Sequence, residues 1–231
     1  MSTGGATAAP DGGAGKLDGR AVRGEATRLR ILDAARDMLV ERGYGGTSTR
    51  AVAERAETQL SLVHYHFGGK RQLLAALLEH ENDRLLERQR RLYTGEEPLA
   101  EKWLQACRYL GEDLSSGYVR VLWELWATGL AQPELAARWR AALLSWISLL
   151  EEVAATWADE QGIELPFSPR ALAALVANAF LGAEAQILAG MNEREVPNLE
   201  ALEACARLIA RLEQPPAQHP DAADPTSPPG E

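Results

Sequence analysis

His64 and His66 stand two residues apart and invite a metal-ligand reading. On a helix such residues lie about 200° apart, so they cannot share one ion. Neither has an acidic or cysteine partner four residues on, and no metal is expected here. Cys107 and Cys205 lie far apart, each within a helical pattern, and form neither a CxxC motif nor a disulfide framework. They read as small buried apolar residues, with a redox role as the lesser alternative. Glu124, Glu151, Glu152 and Glu184 read as solvated or structural. There is no GxSxG, HExxH or phosphate-loop motif and no Cys/His nucleophile arrangement, so neither an enzyme nor a cofactor is indicated.

What remains is chemistry suited to an anion and to base edges. Thr47, Ser48 and Thr49 offer hydroxyls and backbone N–H groups at a helix start. His64, Tyr65, His66 and, beyond the Gly68-Gly69 pair, Lys70 complete a set of candidate phosphate contacts. The elements that must position them follow from periodicity. A helix is expected over 25–42, with Leu29, Ile31, Leu32, Ala35, Met38 and Leu39 as its apolar stripe and Gly43 as its stop. A turn at Tyr44-Gly45-Gly46 leads to a short helix over 49–56, capped by Ser48 or Thr49. A break and a third helix over 59–67 complete a helix-turn-helix unit. Such a unit presents the start of its last helix to the major groove. The candidate base contacts are therefore Thr58, Gln59, Leu60, Ser61 and Leu62. Gln59 suits adenine, and the leucines suit thymine methyl groups. Leu60 and Leu62 lie about 200° apart, so one of them can instead be core.

Charge supports this division. The chain of 231 residues carries a formal net charge of -9. Residues 20–71 nevertheless hold ten basic side chains against six acidic ones, and 72–231 hold thirteen against twenty-five. A basic segment on an acidic body fits one nucleic-acid face and one that is not. Lys16, Arg20, Arg23 and Arg28 could extend the contact into a minor groove, although a solvated arm adding non-specific attraction is the simpler reading.

The stretch from Gly43, Tyr44, Thr47 and Ser48 through Val52, Ala53 and Ala56 to Val63, His66, Phe67, Lys70 and Leu73 resembles the N-terminal signature of TetR-family regulators. Glu57 replaces the usual turn glycine, Thr58 the usual valine, Gln59 the usual serine and His64 the usual tyrosine. The resemblance covers about residues 25–75. It implies an all-α chain: an N-terminal three-helix helix-turn-helix domain joined to a C-terminal helical ligand-binding and dimerisation domain. The corresponding division is a 1–19 tail, a 20–70 DNA-binding domain, a 71–213 regulatory and dimerisation domain, and a 214–231 Pro-rich tail. Both tails are expected to be disordered.

Beyond the first three helices, a long one is expected over 71–93, then others over 98–116, 118–131, 133–161, 168–190 and 198–213. All six tryptophans fall between 103 and 157. Most should be core, but helical bundles line ligand pockets with such aromatics. The resemblance places a pocket among these helices, with Trp103, Cys107, Tyr109, Trp123, Trp126, Trp146 and Phe180 as candidate lining. It also implies a homodimer through the last two helices, with Ala174, Ala177, Leu181, Ala185, Leu202 and Leu208 at the interface. The apolar stretch 171–191 is interrupted by Asn178, Glu184 and Gln186 and reads as a packing helix rather than a membrane span. No secretory signal is read at the N-terminus, so the expected location is cytoplasmic. The expectation is a repressor on a near-palindromic operator in double-stranded DNA, released by a small, largely apolar effector. The alternative is a DNA-binding regulator without an effector, controlled by abundance or by a protein partner.

Overall fold

A computed structural model describes residues 14–214, with side chains from Ala21 onward. The expected 1–19 tail lies outside the described residues up to position 13, and the Pro-rich tail lies outside them from position 215. Residues 14–19 are not tail: α1 begins at Ala14 and runs to Gly46. It is followed by α2 (Thr49–Arg55), α3 (Leu60–Phe67), α4 (Lys70–Tyr93) and α5 (Leu99–Ser115). Then come α6 (Tyr118–Gly129), α7 (Pro133–Gln161), α8 (Pro169–Leu188) and α9 (Asn198–Leu212). No strand occurs among the described residues.

The helix ends follow local chemistry. Ser48 caps α2 by accepting the Ala51 amide at 3.2 Å, and Ser168 caps α8 through Ala171 at 3.2 Å. Each satisfies one of the orphan N–H groups of a helix start. Pro169 follows its cap at the first helical position, where a missing N–H costs nothing. Gly43 interrupts α1 with φ 65° and ψ -179°.

Two compact units emerge, and their border is not at residue 70. Residues up to Leu86 join Asp113–Ser145 in one unit, and Glu87–Glu112 join the chain from Trp146 onward in the other. The first unit closes around fully buried Ile31, Leu32, Leu39, Val52, Val63, Leu73, Leu74 and Leu125. Burying each such side chain is worth about 1.5–3 kcal/mol, enough to hold the short α2 and α3 that propensity alone would not sustain. In the second unit, Phe180 meets Trp103 edge-on at 5.6 Å and Trp146 at 6.2 Å. The Trp103 indole donates to the Leu202 carbonyl at 2.6 Å. Leu150, Ala173 and Ala177 form a neighbouring apolar cluster that Tyr93 and Trp146 flank.

Helices α7 and α8 are long and apolar enough to cross a membrane by length and composition alone. Each keeps one buried face, Leu149 and Leu150 on α7 and Ala173, Ala177 and Phe180 on α8. Helix α8 also leaves Leu175 and Leu188 exposed.

Candidate nucleic-acid interface

Helix α3 presents a mixed edge on a rigid support. Val63 and Phe67 face the core. Gln59, Leu60, Ser61, Leu62, His64 and Tyr65 are exposed, Tyr65 by 81%. Leu60 and Leu62 are both outward, at 39% and 37%, so neither is the core residue that their spacing on the helix allowed for. The turn before α3 is tight. The Thr58 amide donates to the Ala53 carbonyl at 3.0 Å, and Glu57 takes φ 50°. Glu57 thus adopts the left-handed conformation that glycine would accept without strain. Arg55 clamps α2 to α1 through both carboxylate oxygens of Glu41, at 2.8 and 2.6 Å. The hydrogen bond from Arg55 holds the Glu41 carboxyl below its usual range.

Two candidate phosphate contacts are engaged elsewhere. Thr47 is 1% exposed, and its hydroxyl donates to the Gly43 carbonyl at 2.8 Å, so it closes the turn rather than facing solvent. The Lys70 ammonium donates to the Tyr44 carbonyl at 2.6 Å and lies 4.0 Å from the centre of the Tyr44 ring. Lys70 therefore ties the start of α4 to the turn before α2. Thr49 and His66 are half-buried and Ser48 is exposed. His64 Nδ1 pairs with the Gly68 carbonyl at 3.1 Å. The side chains of Lys16 and Arg20 lie outside the described residues, Arg23 is exposed, and Arg28 sits 5.8 Å from the Phe67 ring centre.

Tyr44 is a junction that local sequence patterns did not reveal. Its amide donates to Glu124 Oε2 at 2.7 Å, its carbonyl accepts Lys70, and its hydroxyl accepts Gln132 Nε2 at 3.0 Å. Glu124 lies on α6 and caps the break in α1 at Gly43. A Cβ at position 43 would sit 3.2 Å from the Glu124 carboxylate and on a left-handed backbone. In the sequence Glu124 is the one carboxylate of α6, between Trp123 and Trp126, and nothing local ties it to Tyr44.

The candidate pocket residues divide between the units. Trp103, Trp146 and Phe180 gather in the second unit as described above, and Tyr109 there lies under the Arg88 guanidinium at 4.4 Å. Cys107 is buried, and burial pushes its thiol up to about 11. Trp123 and Trp126 belong to the first unit, where they meet edge-on at 4.9 Å and Trp126 lies 6.3 Å from Trp139.

The candidate dimer residues also divide. Ala177 is 1% and Leu202 5% exposed, so both face their own protomer's core and are withdrawn from the interface. Their register explains it: Ala173, Ala177 and Phe180 recur at helical spacing on the inner stripe of α8. Ala174, Leu181 and Ala185 are half-buried at the flanks. Leu208 is 59% exposed, as is Leu175, and Leu188 and Leu212 are exposed with them.

A short helix presenting an exposed polar and apolar edge beside a capped partner helix has the arrangement of a helix-turn-helix, a class of DNA-binding unit. Residues 31–77 match the family described as bacterial regulatory proteins, tetR family. The similarity to that family lies in this N-terminal segment, within α1 to α4. It is 43% identical over 61 residues to the HTH-type transcriptional repressor Rv3405c of Mycobacterium tuberculosis, which covers 26% of this chain and 32% of that protein. It is 27% identical over 127 residues to the HTH-type transcriptional regulator UidR of Escherichia coli, covering 52% and 61%. The chain thus spans about a third of the mycobacterial relative's length and under two-thirds of UidR's. The structure of the transcriptional regulator FadR from Bacillus subtilis, in complex with stearoyl-CoA, shares the fold with a TM-score of 0.64. That match has 16% identity and covers 78% of this chain and 96% of that one.

Proposed function

We propose that this protein is a cytoplasmic, homodimeric repressor that binds a near-palindromic operator through α2 and α3 and leaves it when a small, largely apolar effector binds. The observation that carries this reading is the α3 edge. Gln59, Leu60, Ser61 and Leu62, with Thr58 before them, present one amide, two hydroxyls and two aliphatic groups at the start of a helix whose opposite side is locked by Val63 and Phe67. That set suits adenine and thymine methyl groups. Ser48, Thr49, His64, Tyr65 and His66 supply the phosphate contacts that fix register without reading sequence. Dimerisation uses the outward stripe of α8 and α9, where Leu175, Leu188, Leu208 and Leu212 are exposed and Ala174, Leu181 and Ala185 border it. A two-fold dimer repeats each half-site, which is why the operator is a near-palindrome.

Effector gating is supported by the aromatic concentration in the body and by the stearoyl-CoA bound to a protein of the same fold. Release requires the effector to bind one conformation better than the other, so DNA must weaken effector binding by the same factor. Footprinting of the DNA upstream of the protein's own gene tests the reading. A protected near-palindrome that becomes accessible when an apolar compound saturates the protein supports it. A protected site that no binding compound releases points to control by abundance or a protein partner instead. Absence of any protected site at moderate salt rejects the regulator reading itself.

A further inference from the structure

The second unit holds a half-enclosed groove of about 980 Å³, at the upper end of the size range of small-molecule sites. It is formed by the last turn of α4, the α4–α5 turn, the start of α5, the C-terminal half of α7 and Glu213 just past α9. Its apolar wall is Tyr93, Leu149, Val153 and Trp157. Glu96, Glu97, Glu152 and Glu160 are exposed around it.

The inner polar groups already have partners. Glu213 accepts the Leu99 amide at 2.7 Å and the Trp157 indole N–H at 3.3 Å. Lys102 donates to the Gly95 carbonyl at 2.7 Å and to the Tyr93 carbonyl at 3.3 Å. The groove thus combines an aromatic and aliphatic wall with a field in which five carboxylates outnumber the cations Arg90 and Lys102. Low-dielectric walls focus such a field. An anion meets repulsion there, and a neutral compound leaves the field unused. A cation with a bulky apolar body answers both features: its body covers Trp157 and Tyr93 and its charge faces the carboxylates.

We propose that this groove binds an organic cation with a large apolar or aromatic body. The groove supports binding by itself; only the cation's role as effector rests on the ligand-gated reading. Tyr93 connects the two ideas, since it lines the groove and also flanks the apolar cluster beside Trp146.

The test is calorimetric titration of the full chain with tetraphenylphosphonium, and with tetraphenylborate as a probe of the same shape and opposite charge. The cation should bind saturably at one site per protomer, and the borate at least roughly 10-fold more weakly. The double variant Glu152→Gln, Glu160→Gln should weaken the cation roughly 5- to 10-fold, in line with two partly exposed ion pairs. The variant Glu164→Gln, Glu200→Gln, which removes the same charge outside the groove, should leave it unchanged. Circular dichroism checks that both variants fold. Equal binding of the two probes, no saturable heat, or equal loss in both double variants overturns the site. Operator release is read separately. Groove-dependent binding without release keeps the site and rejects its effector role. Release that ignores the groove variants keeps gating and rejects the groove as the place where the effector acts.

Discussion

The Glu124 carboxylate on α6 receives the backbone amide of Tyr44 at 2.7 Å, across eighty positions of sequence. This bond caps the break in α1 at Gly43 and fixes the turn from which α2 starts. A hydrogen bond to a charged group contributes about 1.5–3 kcal/mol. Glu124→Gln, which keeps an acceptor but loses the charge, should cost about half of that, and Glu124→Ala the whole. Chemical denaturation measures the stability. Operator affinity should fall in the same order, because the turn that Glu124 holds carries Ser48 and Thr49. Stability loss with unchanged affinity would show that the cap matters to the fold alone.

Lys70 offers a clean choice between two roles. As a phosphate contact it would contribute about 1 to the salt slope of DNA binding. Bonded to the Tyr44 carbonyl and stacked on its ring, it should contribute to stability instead. Lys70→Met is expected to lower stability by about 1–3 kcal/mol and to leave the slope of log K against log salt unchanged. A slope reduced by one, with stability intact, would restore the phosphate role.

Gln59, Leu62 and Tyr65 should separate reading from anchoring. All three are exposed, so their replacement by alanine should change stability by less than about 0.5 kcal/mol. Gln59→Ala and Leu62→Ala should lose about 1–3 kcal/mol of discrimination at particular base pairs. Tyr65→Ala should weaken binding to all sequences alike. Competition binding against a panel of single-base operator variants distinguishes the patterns, and uniform loss for all three would remove the base-reading assignment.

Glu81 is 3% exposed, and its Oε1 has no hydrogen-bond partner. Burial pushes its carboxyl above the usual 4.5, and this outweighs the lowering by Arg84, Arg36 and His80. A raised carboxyl pKa means that the folded state holds its proton more tightly than the unfolded chain does. Stability contributed by Glu81 is therefore greatest below pH 4.5 and declines as pH rises toward the folded-state value. Glu81→Gln should raise the melting temperature at pH 7, and that gain should vanish under acid conditions. A destabilised variant at pH 7 would show that the pairing with Arg84, at 3.7 Å, outweighs the burial cost.

The punctuation of the fold was legible because glycine and proline act locally. Ser48 caps α2 and Pro133 opens α7 where the sequence pattern placed them, whereas Gly43, expected to stop the first helix before a turn, only kinks α1, which stays helical through Tyr44, Gly45 and Gly46. The facing of α8 was not legible. Alanine occurs on both of its sides, so the pattern lacks the polarity contrast that reports which stripe is buried, and Ala177 was assigned outward when it faces inward. Thr47 and Lys70 misled for a different reason. A hydroxyl or an ammonium beside a turn suits a phosphate and a backbone carbonyl equally well, and only the folded turn decides which one it meets. The Tyr44 junction was invisible because its partners Glu124 and Gln132 come from distant sequence with no periodic signature. The extension of α1 back to Ala14 was hidden by a Gly- and Ala-rich composition that favours neither helix nor coil by pattern.

Sequence-specific DNA recognition by α3 can be read from an equilibrium titration of the full chain against its own upstream DNA. Fluorescence anisotropy on a duplex carrying the near-palindrome should show two protomers per site, with half-sites about one helical turn or a multiple of it apart, roughly 34–36 Å per turn. Affinity for that duplex should exceed that for a scrambled duplex of equal length by roughly 10³-fold or more at physiological salt, and Gln59→Ala should narrow the gap. Equal affinity for the two duplexes, with the same salt dependence, would contradict the account.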